Sequence, residues 1–101
     1  MIIDVLANLF GTDVPDLVDM ARVLDDSPVG VLWVSDHFSG AVEGAPWSRD
    51  PFVTLGAMAA VTERVELGLL VANIVNRHPA QLVSAMNSCC GLPGHSRYRC
   101  W

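Results

Sequence analysis

The segment Gly30–Phe38 constrains the fold more strongly than any other part of the chain. It reads Gly-Val-Leu-Trp-Val-Ser-Asp-His-Phe, so an apolar, strand-favouring run ends abruptly in an acid and a base. Continuous apolar runs are typical of parallel strands that are covered on both faces. In such sheets the functional side chains stand where the strands end. The segment therefore predicts a buried parallel strand that carries polar groups at its carboxyl end.

Two further apolar runs, Ile2–Leu6 and Val65–Ala72, are predicted to be strands of the same sheet. A helix is predicted between the first two strands, because Thr12 or Asp13 can cap it and the apolar residues that follow have helical spacing. Pro15 falls in the first turn of this helix, where a missing N–H has no cost.

The second and third helices are each predicted to begin at a proline. Asp50-Pro51 reads as the N-cap and first residue of the second helix, and His78-Pro79 starts the third. The second helix is apolar or small on nearly every face and should be largely buried. Strands that alternate with helices imply right-handed βαβ units and a parallel sheet. Ligands of such α/β sheets bind at the carboxyl ends of the strands.

Length and charge exclude several classes of function. The chain has 101 residues, of which 51% are hydrophobic, so it can form one small core. Its net charge of −5 provides no basic stripe, which argues against a nucleic-acid partner. No apolar run reaches the roughly 18 residues of a membrane span. The first residues lack the basic region of a signal peptide, so we predict a cytoplasmic protein that does not bind membranes.

Asp36 and His37 form the sharpest candidate pair. Histidine can transfer protons near neutral pH, and a neighbouring carboxylate can orient it. Alternatively, Asp36 caps a turn and His37 packs on a loop. Asn73 could bond a planar heterocycle, or could simply be a turn residue. Arg77 and His78 precede the third helix, whose amino terminus favours an anion, although His78 is interpreted first as a helix cap.

All three cysteines lie in the last thirteen residues, which does not resemble a disulfide framework. Together with one histidine they could be considered as zinc ligands, but their spacing fits no ordinary structural zinc pattern; the four residues are Cys89, Cys90, His95 and Cys100. The glycines nearby match no phosphate-binding fingerprint either. We therefore predict no metal site.

Four segments in order resemble a known family. They are Gly30–Phe38, Asp50–Val61 (Asp-Pro-Phe-Val-Thr-Leu-Gly-Ala-Met-Ala-Ala-Val), Thr62–Gly68 (Thr-Glu-Arg-Val-Glu-Leu-Gly) and Asn73–Pro79 (Asn-Ile-Val-Asn-Arg-His-Pro). This combination resembles the luciferase-like flavin-dependent oxidoreductases, over residues 2–88. The resemblance implies a (β/α)8 barrel, of which the three βα units would be the first three.

The family resemblance also implies chemistry and partners. It implies hydride or oxygen transfer on a flavin or deazaflavin ring, held at the carboxyl face of the barrel, with a small-molecule substrate. The Ser-Asp-His ending is most similar to the deazaflavin branch, which uses coenzyme F-420, and FMN is the alternative cofactor. Full-length relatives are expected to be homo-oligomers.

The resemblance assigns a role to each candidate site residue. His37 would be the acid/base, and Asp36 would be a polar contact near the cofactor ring. A non-prolyl cis peptide bulge that presses on the ring would fall at Leu70–Val71, and Asn73 would lie against the polar edge of the ring. The aromatic residue that often follows the histidine is absent, since Trp47 comes only after a long loop. The substrate therefore stays open.

The carboxyl-terminal tail departs from the family. A barrel of this type needs about 250 residues, and we divide this chain into a partial barrel domain, 1–88, and a non-family tail, 89–101. The tail reads Cys-Cys-Gly-Leu-Pro-Gly-His-Ser-Arg-Tyr-Arg-Cys-Trp and has neither helix nor strand periodicity. Codons permitted for its last eight residues, read one base later, can encode Ala-Thr-Leu-Gly-Ile-Gly-Ala-Gly, which resembles the missing fourth strand. Our hypothesis is a frameshift near residues 88–91.

A partial barrel has physical consequences. We expect it to leave a sheet edge unpaired, to be poorly stable, and to be inactive and a weak cofactor binder on its own. The alternative from another class of function is a small non-catalytic α/β module that offers its open sheet edge to an assembly partner.

Overall fold

The fold was obtained as a computed structural model that describes residues 1–90 and 98–100. Helices and strands alternate along the chain, as the sequence predicts. The strands are β1 (Ile3–Ala7), β2 (Val29–Val34), β3 (Glu66–Leu69) and β4 (Tyr98–Cys100), and the helices are α1 (Val14–Asp25), α2 (Pro51–Ala59) and α3 (Pro79–Cys90). A single 3-10 turn, Ala41–Glu43, is described in the long loop between β2 and α2.

The four strands form one parallel sheet in the order β1-β2-β3-β4. The predicted α/β fold with parallel pairing is therefore confirmed. β3 is shorter than predicted and ends at Leu69 instead of Ala72. The N–H of Leu70 still donates to the carbonyl of Val34 at 2.8 Å, but the next peptide bond, Leu70–Val71, is cis. The cis bond lies where the family resemblance implies it.

The core lies between the sheet and the helices. Its largest members are fully buried aliphatic side chains from β2, β3, α2 and the β1–α1 loop, namely Leu9, Leu32, Leu55, Met58, Leu67 and Leu69. α2 is buried on most of its surface, as predicted, although Val53 is 67% exposed. Each fully buried Leu or Met contributes about 1.5–3 kcal/mol relative to an exposed one, so this layer holds β2 and β3 in place.

On the opposite face of the sheet, one tryptophan covers part of β3. Trp33 lies directly over Gly68 on the neighbouring strand, and a Cβ atom at Gly68 would be 2.4 Å from its ring. The indole N–H donates to Asp4 on β1 at 3.2 Å. Glycine interrupts the apolar run of β3 because no side chain fits beneath this ring. Leu6, beside Trp33 on the same face, is 57% exposed.

The tail contains regular structure that the sequence analysis did not predict. α3 continues to Cys90, and residues 98–100 pair in parallel with Leu67–Leu69 of β3. The edge of β3 that faces away from β2 is therefore paired with β4 over three residues and is not open. Residues 91–97 and 101, which include most of the proposed frameshifted segment, lie outside the described residues. The domain boundary and the frameshift stay predictions.

None of the helices in the described part of the chain is long and apolar enough to cross a bilayer.

Candidate functional site

One cleft at the carboxyl ends of β2 and β3 contains every residue to which the family resemblance assigns a role at the cofactor, namely Asp36, His37, Leu70, Val71 and Asn73. It has a volume of about 390 Å³. Its walls are the residues that follow β2 and those that lead from β3 towards α3, namely Ser35, Asp36, His37, Leu70, Val71, Ala72, Asn73, Ile74 and Val75. Parallel strands bring these segments together because their carboxyl ends meet at the same edge of the sheet. We call this space the central cleft.

His37 is exposed and stands between the central cleft and a second one. Its ring packs against Phe10 with a centroid distance of 5.1 Å and an interplanar angle of 53°. The second cleft, which we call the outer cleft, is lined by Leu6, Ala7, Asn8, Phe10, Ser35, His37 and Glu43. Because β2 ends at Val34, strand alternation no longer governs Asp36 and His37, and both reach the central cleft.

Asp36 is committed to bonds within the protein. Its side chain is only 3% exposed and faces the guanidinium of Arg77. Arg77 Nε donates to Oδ2 at 3.0 Å and Nη2 donates to Oδ1 at 3.1 Å, which is a bidentate arrangement. Oδ2 also accepts the backbone N–H of Asn73 at 2.9 Å. Asp36 therefore joins the end of β2 to the loop between β3 and α3.

Asn73 acts as a turn residue and also lines the central cleft. Its Oδ1 accepts the backbone N–H groups of Val75 and Asn76 at 3.1 and 3.3 Å. Two N–H donors on one side of the amide require oxygen there, so the orientation of the amide is fixed. The remaining NH2 group can donate, whereas the oxygen is already bonded. The two sequence interpretations of Asn73 are therefore compatible.

Arg77 is the site residue whose partners the sequence analysis missed. Its Nη2 also donates to Asp50 Oδ2 at 2.8 Å, and its guanidinium lies 4.7 Å from the ring centroid of Phe52. One signal could have indicated this arrangement. A cation close to a helix amino terminus is unfavourable unless a carboxylate compensates it, and Arg77 precedes α3 by two residues.

The charges of this cluster shift the pKa values of its members. Hydrogen bonding to Asp36 raises the pKa of Arg77 above its usual value; burial opposes this, and Asp50 adds to it. For Asp50, burial alone would raise the pKa. The hydrogen bonds from Arg77 and from the N–H groups of Val53 and Phe52, with the charge of Arg77, outweigh burial and lower it. Arg77 and Asp50 are therefore held in their charged forms.

The predicted caps of α2 and α3 are both present. Asp50 Oδ1 accepts the N–H groups of Phe52 and Val53 at 2.9 and 3.0 Å, with Pro51 at the first helical position. His78 Nδ1 accepts the N–H of Ala80 at 3.1 Å, which agrees with its interpretation as a cap. The side chain of His78 is therefore bonded to the first turn of α3.

Within the described residues, no group of three or more His, Cys, Asp or Glu side chains is placed to hold a metal ion. The side chains of Cys90, His95 and Cys100, three of the four considered as zinc ligands, lie outside the described part.

Comparison with known proteins gives a family and a fold. The family of luciferase-like monooxygenases matches residues 6–87. Among solved structures, the chain is similar to the coenzyme F-420-dependent tetrahydromethanopterin reductase from Methanopyrus kandleri, with 17% identity and a TM-score of 0.78. The match covers 97% of this chain and 25% of the reductase. No curated protein sequence shows significant similarity.

Two monooxygenases are similar to the same degree. One is the oxygenating constituent of 3,6-diketocamphane monooxygenase from Pseudomonas putida, a type II Baeyer–Villiger enzyme in complex with FMN, with 18% identity and a TM-score of 0.79. The other is the monooxygenase RslO1 from Streptomyces bottropensis, with 22% identity and a TM-score of 0.77. Each match covers 97% of this chain, but only 28% and 31% of the respective enzyme.

These likenesses establish the fold. The three βα units have the arrangement of a part of a (β/α)8 barrel. The chain spans between 25% and 31% of the length of the three enzymes.

Proposed function

This chain belongs to the luciferase-like monooxygenase family, and from that premise we propose that it forms part of the cofactor site of a flavin- or deazaflavin-dependent oxidoreductase. The observation that carries the proposal is the composition of the central cleft. His37, Asn73 and the Leu70–Val71 peptide, which come from two different strand ends, line one space. That space lies at the carboxyl edge of a parallel sheet, where α/β folds bind their ligands.

The residues of the central cleft suit a flat ring with one polar edge. Leu70, Val71 and Ile74 are 41%, 59% and 68% exposed, so they offer apolar surface to a ring system. The NH2 group of Asn73 is a fixed donor for a carbonyl or ring nitrogen. When bound, a flavin or deazaflavin supplies hydride or oxygen chemistry. Coenzyme F-420 is our first candidate, from the Ser-Asp-His ending, and FMN is the second.

We assign acid/base chemistry to His37. An exposed imidazole at the boundary of two clefts can exchange a proton with a molecule in either. In this proposal the central cleft takes the ring, and the outer cleft, which includes Phe10 and Glu43, takes a small-molecule substrate. Asp36 serves the cofactor through Asn73, whose backbone it holds, more than by direct contact with the ring.

The activity of the whole protein remains part of the proposal. We expect the 101-residue chain alone to be inactive and to bind either cofactor weakly, because most of the surface that a barrel enzyme offers its cofactor is outside it. Full-length relatives are expected to act as homo-oligomers on small molecules, without nucleic-acid or membrane partners.

The test is amide NMR of the purified chain titrated separately with FMN and with coenzyme F-420. We expect weak, saturable shifts at His37 and along residues 70–73 with at least one of them, and a dissociation constant weaker than micromolar. His37→Ala should largely retain these shifts at 70–73, since Leu70, Val71 and Asn73 still line the cleft, whereas Asn73→Ala should weaken binding. No shifts with either compound, or shifts confined to other parts of the chain, would refute the proposal. A micromolar or tighter affinity would contradict the expected weak binding.

A further inference from the structure

We propose that Arg77 is the positioning residue of the central cleft. By holding Asp36, it fixes the loop between β3 and α3 and sets the direction in which Asn73 presents its amide donor. The naming of the ligand rests on the function proposed above, whereas the positioning itself rests on the contacts of Arg77.

Arg77 connects three elements that are distant in the sequence. Its guanidinium bonds Asp36 after β2 with both Nε and Nη2, and bonds the N-cap of α2, Asp50, with Nη2. The same plane lies over Phe52 in the first turn of α2, at 4.7 Å. The Arg77 side chain is 25% exposed and that of Asp36 is 3% exposed, so water competes little for the bidentate pair. Arg77 therefore ties its own loop to two others.

The connection continues from Asp36 into the cleft. Asp36 Oδ2 accepts the N–H of Asn73 at 2.9 Å while it is bonded to Arg77 Nε. The backbone of Asn73 is held in this way, and its Oδ1 is held by the N–H groups of Val75 and Asn76. The backbone N–H and the side-chain oxygen of Asn73 are therefore both bonded, which restrains the amide. The position of the NH2 donor follows from the Arg77–Asp36 pair.

Apolar packing holds this loop at Ala72, which is partly buried against the core, but contributes little elsewhere in it. Val71, Ile74 and Val75 are 59%, 68% and 90% exposed, so their burial contributes little stabilisation in this structure. We therefore infer that the hydrogen bonds that begin at Arg77 restrain the exposed part of the loop, from Asn73 to Asn76. Lysine could not reproduce them, because a single ammonium cannot bond Asp36 in a bidentate manner and also stack on Phe52.

The experiment compares Arg77→Met, Arg77→Lys and Arg22→Met by amide hydrogen exchange. Arg22→Met is the matched control, because Arg22 forms an exposed pair with Asp19 on α1, far along the chain from the cleft. The measured quantity is the exchange rate of Asn73, Val75 and Asn76 relative to the β3 amides of residues 67–69. We expect Arg77→Met to raise this ratio by about tenfold, as the loss of one or two hydrogen bonds implies. Arg77→Lys should raise it less, and the control should leave it unchanged.

Two results would overturn the inference: an unchanged ratio in both Arg77 variants, or equal acceleration of the loop and β3, which would mean a general loss of stability. If Arg77→Met does not fold, the ratio in Arg77→Lys decides alone, and an unchanged value overturns the inference. The FMN and F-420 titrations of the unsubstituted chain distinguish failure of the proposed function from failure of the role assigned to Arg77. Absence of shifts in the unsubstituted chain refutes the proposed function, while the exchange ratio still decides the role of Arg77.

Discussion

Two aspartate–arginine clusters lie at opposite ends of the sheet and use the same chemistry for different purposes. The amino-end cluster consists of Asp25 and Arg64, where α1 ends and β3 begins. The carboxyl-end cluster consists of Asp36, Asp50 and Arg77. Both join segments that are roughly 40 positions apart in the sequence.

In the amino-end cluster, Asp25 and Arg64 form six hydrogen bonds to backbone groups of the described residues. The Asp25 carboxylate accepts the N–H groups of Glu63, Arg64 and Val65 at 2.9, 2.7 and 2.8 Å. Arg64 donates to the carbonyls of Leu24, Asp25 and Val29 at 3.0, 2.8 and 2.9 Å. The cluster thereby fixes the path of the chain into β2 and β3.

The carboxyl-end cluster differs because its bonds run mainly between side chains. Arg77 is bonded to two carboxylates and stacked on one ring, and it lines a polar cleft together with His37, Ser48 and Asn76. The backbone groups that its carboxylates accept, among the described residues, are the N–H of Asn73 and the N–H groups at the start of α2. The surrounding loops carry exposed side chains, and this cluster holds them beside the central cleft.

An Asp–Arg pair alone does not mark a functional site. What distinguishes the two clusters is the end of the parallel strands at which each one lies. At the amino ends of parallel strands such a pair closes the connections, whereas at the carboxyl ends it supports the loops on which ligands bind. Substitutions in the two clusters should therefore differ in how far they affect the central cleft.

The largest loss of stability is expected for Asp36→Ala. It leaves Arg77 Nε and the N–H of Asn73 without their acceptor in a largely buried place, while Arg77 Nη2 keeps its bond to Asp50. Removing one partner of a buried pair costs about 3–5 kcal/mol, and we expect the lower end, about 3 kcal/mol, because Arg77 is partly exposed. Urea unfolding measures the change. Asp19→Ala, which breaks an exposed pair, is the control and should cost below about 0.5 kcal/mol. Equal losses in the two variants would show that Asp36 is not a buried anchor.

A smaller loss, about 2 kcal/mol, is expected for Asp25→Ala in the amino-end cluster. Three N–H groups lose a charged acceptor, but those of Glu63 and Arg64 are exposed and can donate to water instead. Asp25→Asn retains Oδ1, which accepts two of the three, and should lose about half as much. Urea unfolding measures the losses. In both variants the amide shifts of His37 and Asn73 should be unchanged. Shifts at Asn73 comparable with those in Asp36→Ala would mean that the two ends are not independent.

Much of the fold followed from local signals. Asp50-Pro51 and His78-Pro79 predicted the starts of α2 and α3, because a cap and a proline act within one turn of a helix. The end of β3 was predicted three residues too late. Leu70 and Val71 continue the apolar run although they are 41% and 59% exposed, and composition alone does not distinguish a buried strand residue from one that faces a ligand cleft.

The sequence predicted where the candidate site lies but not the hydrogen bonds that connect its residues. The carboxyl ends of the strands follow from topology, and Asp36, His37, Leu70, Val71 and Asn73 do meet there. The bond between Asp36 and Arg77 joins residues 41 positions apart. No periodicity records such a contact, since it depends on how two loops fold over the sheet. Strand β4 was missed for a related reason, because three residues form a strand only when an edge is present to pair with them.

The smallest and most specific change in unfolding stability is expected when the pH is lowered. Asp50 has its pKa lowered from the usual 3.8, as hydrogen bonds and the charge of Arg77 outweigh the opposing effect of burial. The unfolded chain therefore takes up this proton first, so the stabilisation is present above about pH 3.8 and is lost as the pH falls through the lower, folded value. Asp50→Asn retains the helix cap, because asparagine caps as well as aspartate.

Because the cap uses Oδ1, the NH2 group of the introduced asparagine would replace Oδ2, and the variant loses both the charge and the acceptor that face Arg77 Nη2. At neutral pH we expect this loss to be about 1 kcal/mol for a group that is 43% exposed. Urea midpoints of the variant and the unsubstituted chain, measured at pH 7 and again below pH 3.8, test this. The difference should narrow in acid, because the protonated Asp50 resembles asparagine, and the other carboxylates cancel in the comparison. A difference that stays constant would mean that Arg77 needs a hydrogen-bond acceptor at Asp50 but not its charge. The carboxyl-end cluster would then depend, like the amino-end cluster, on bond geometry alone, and the electrostatic distinction between the two would fail.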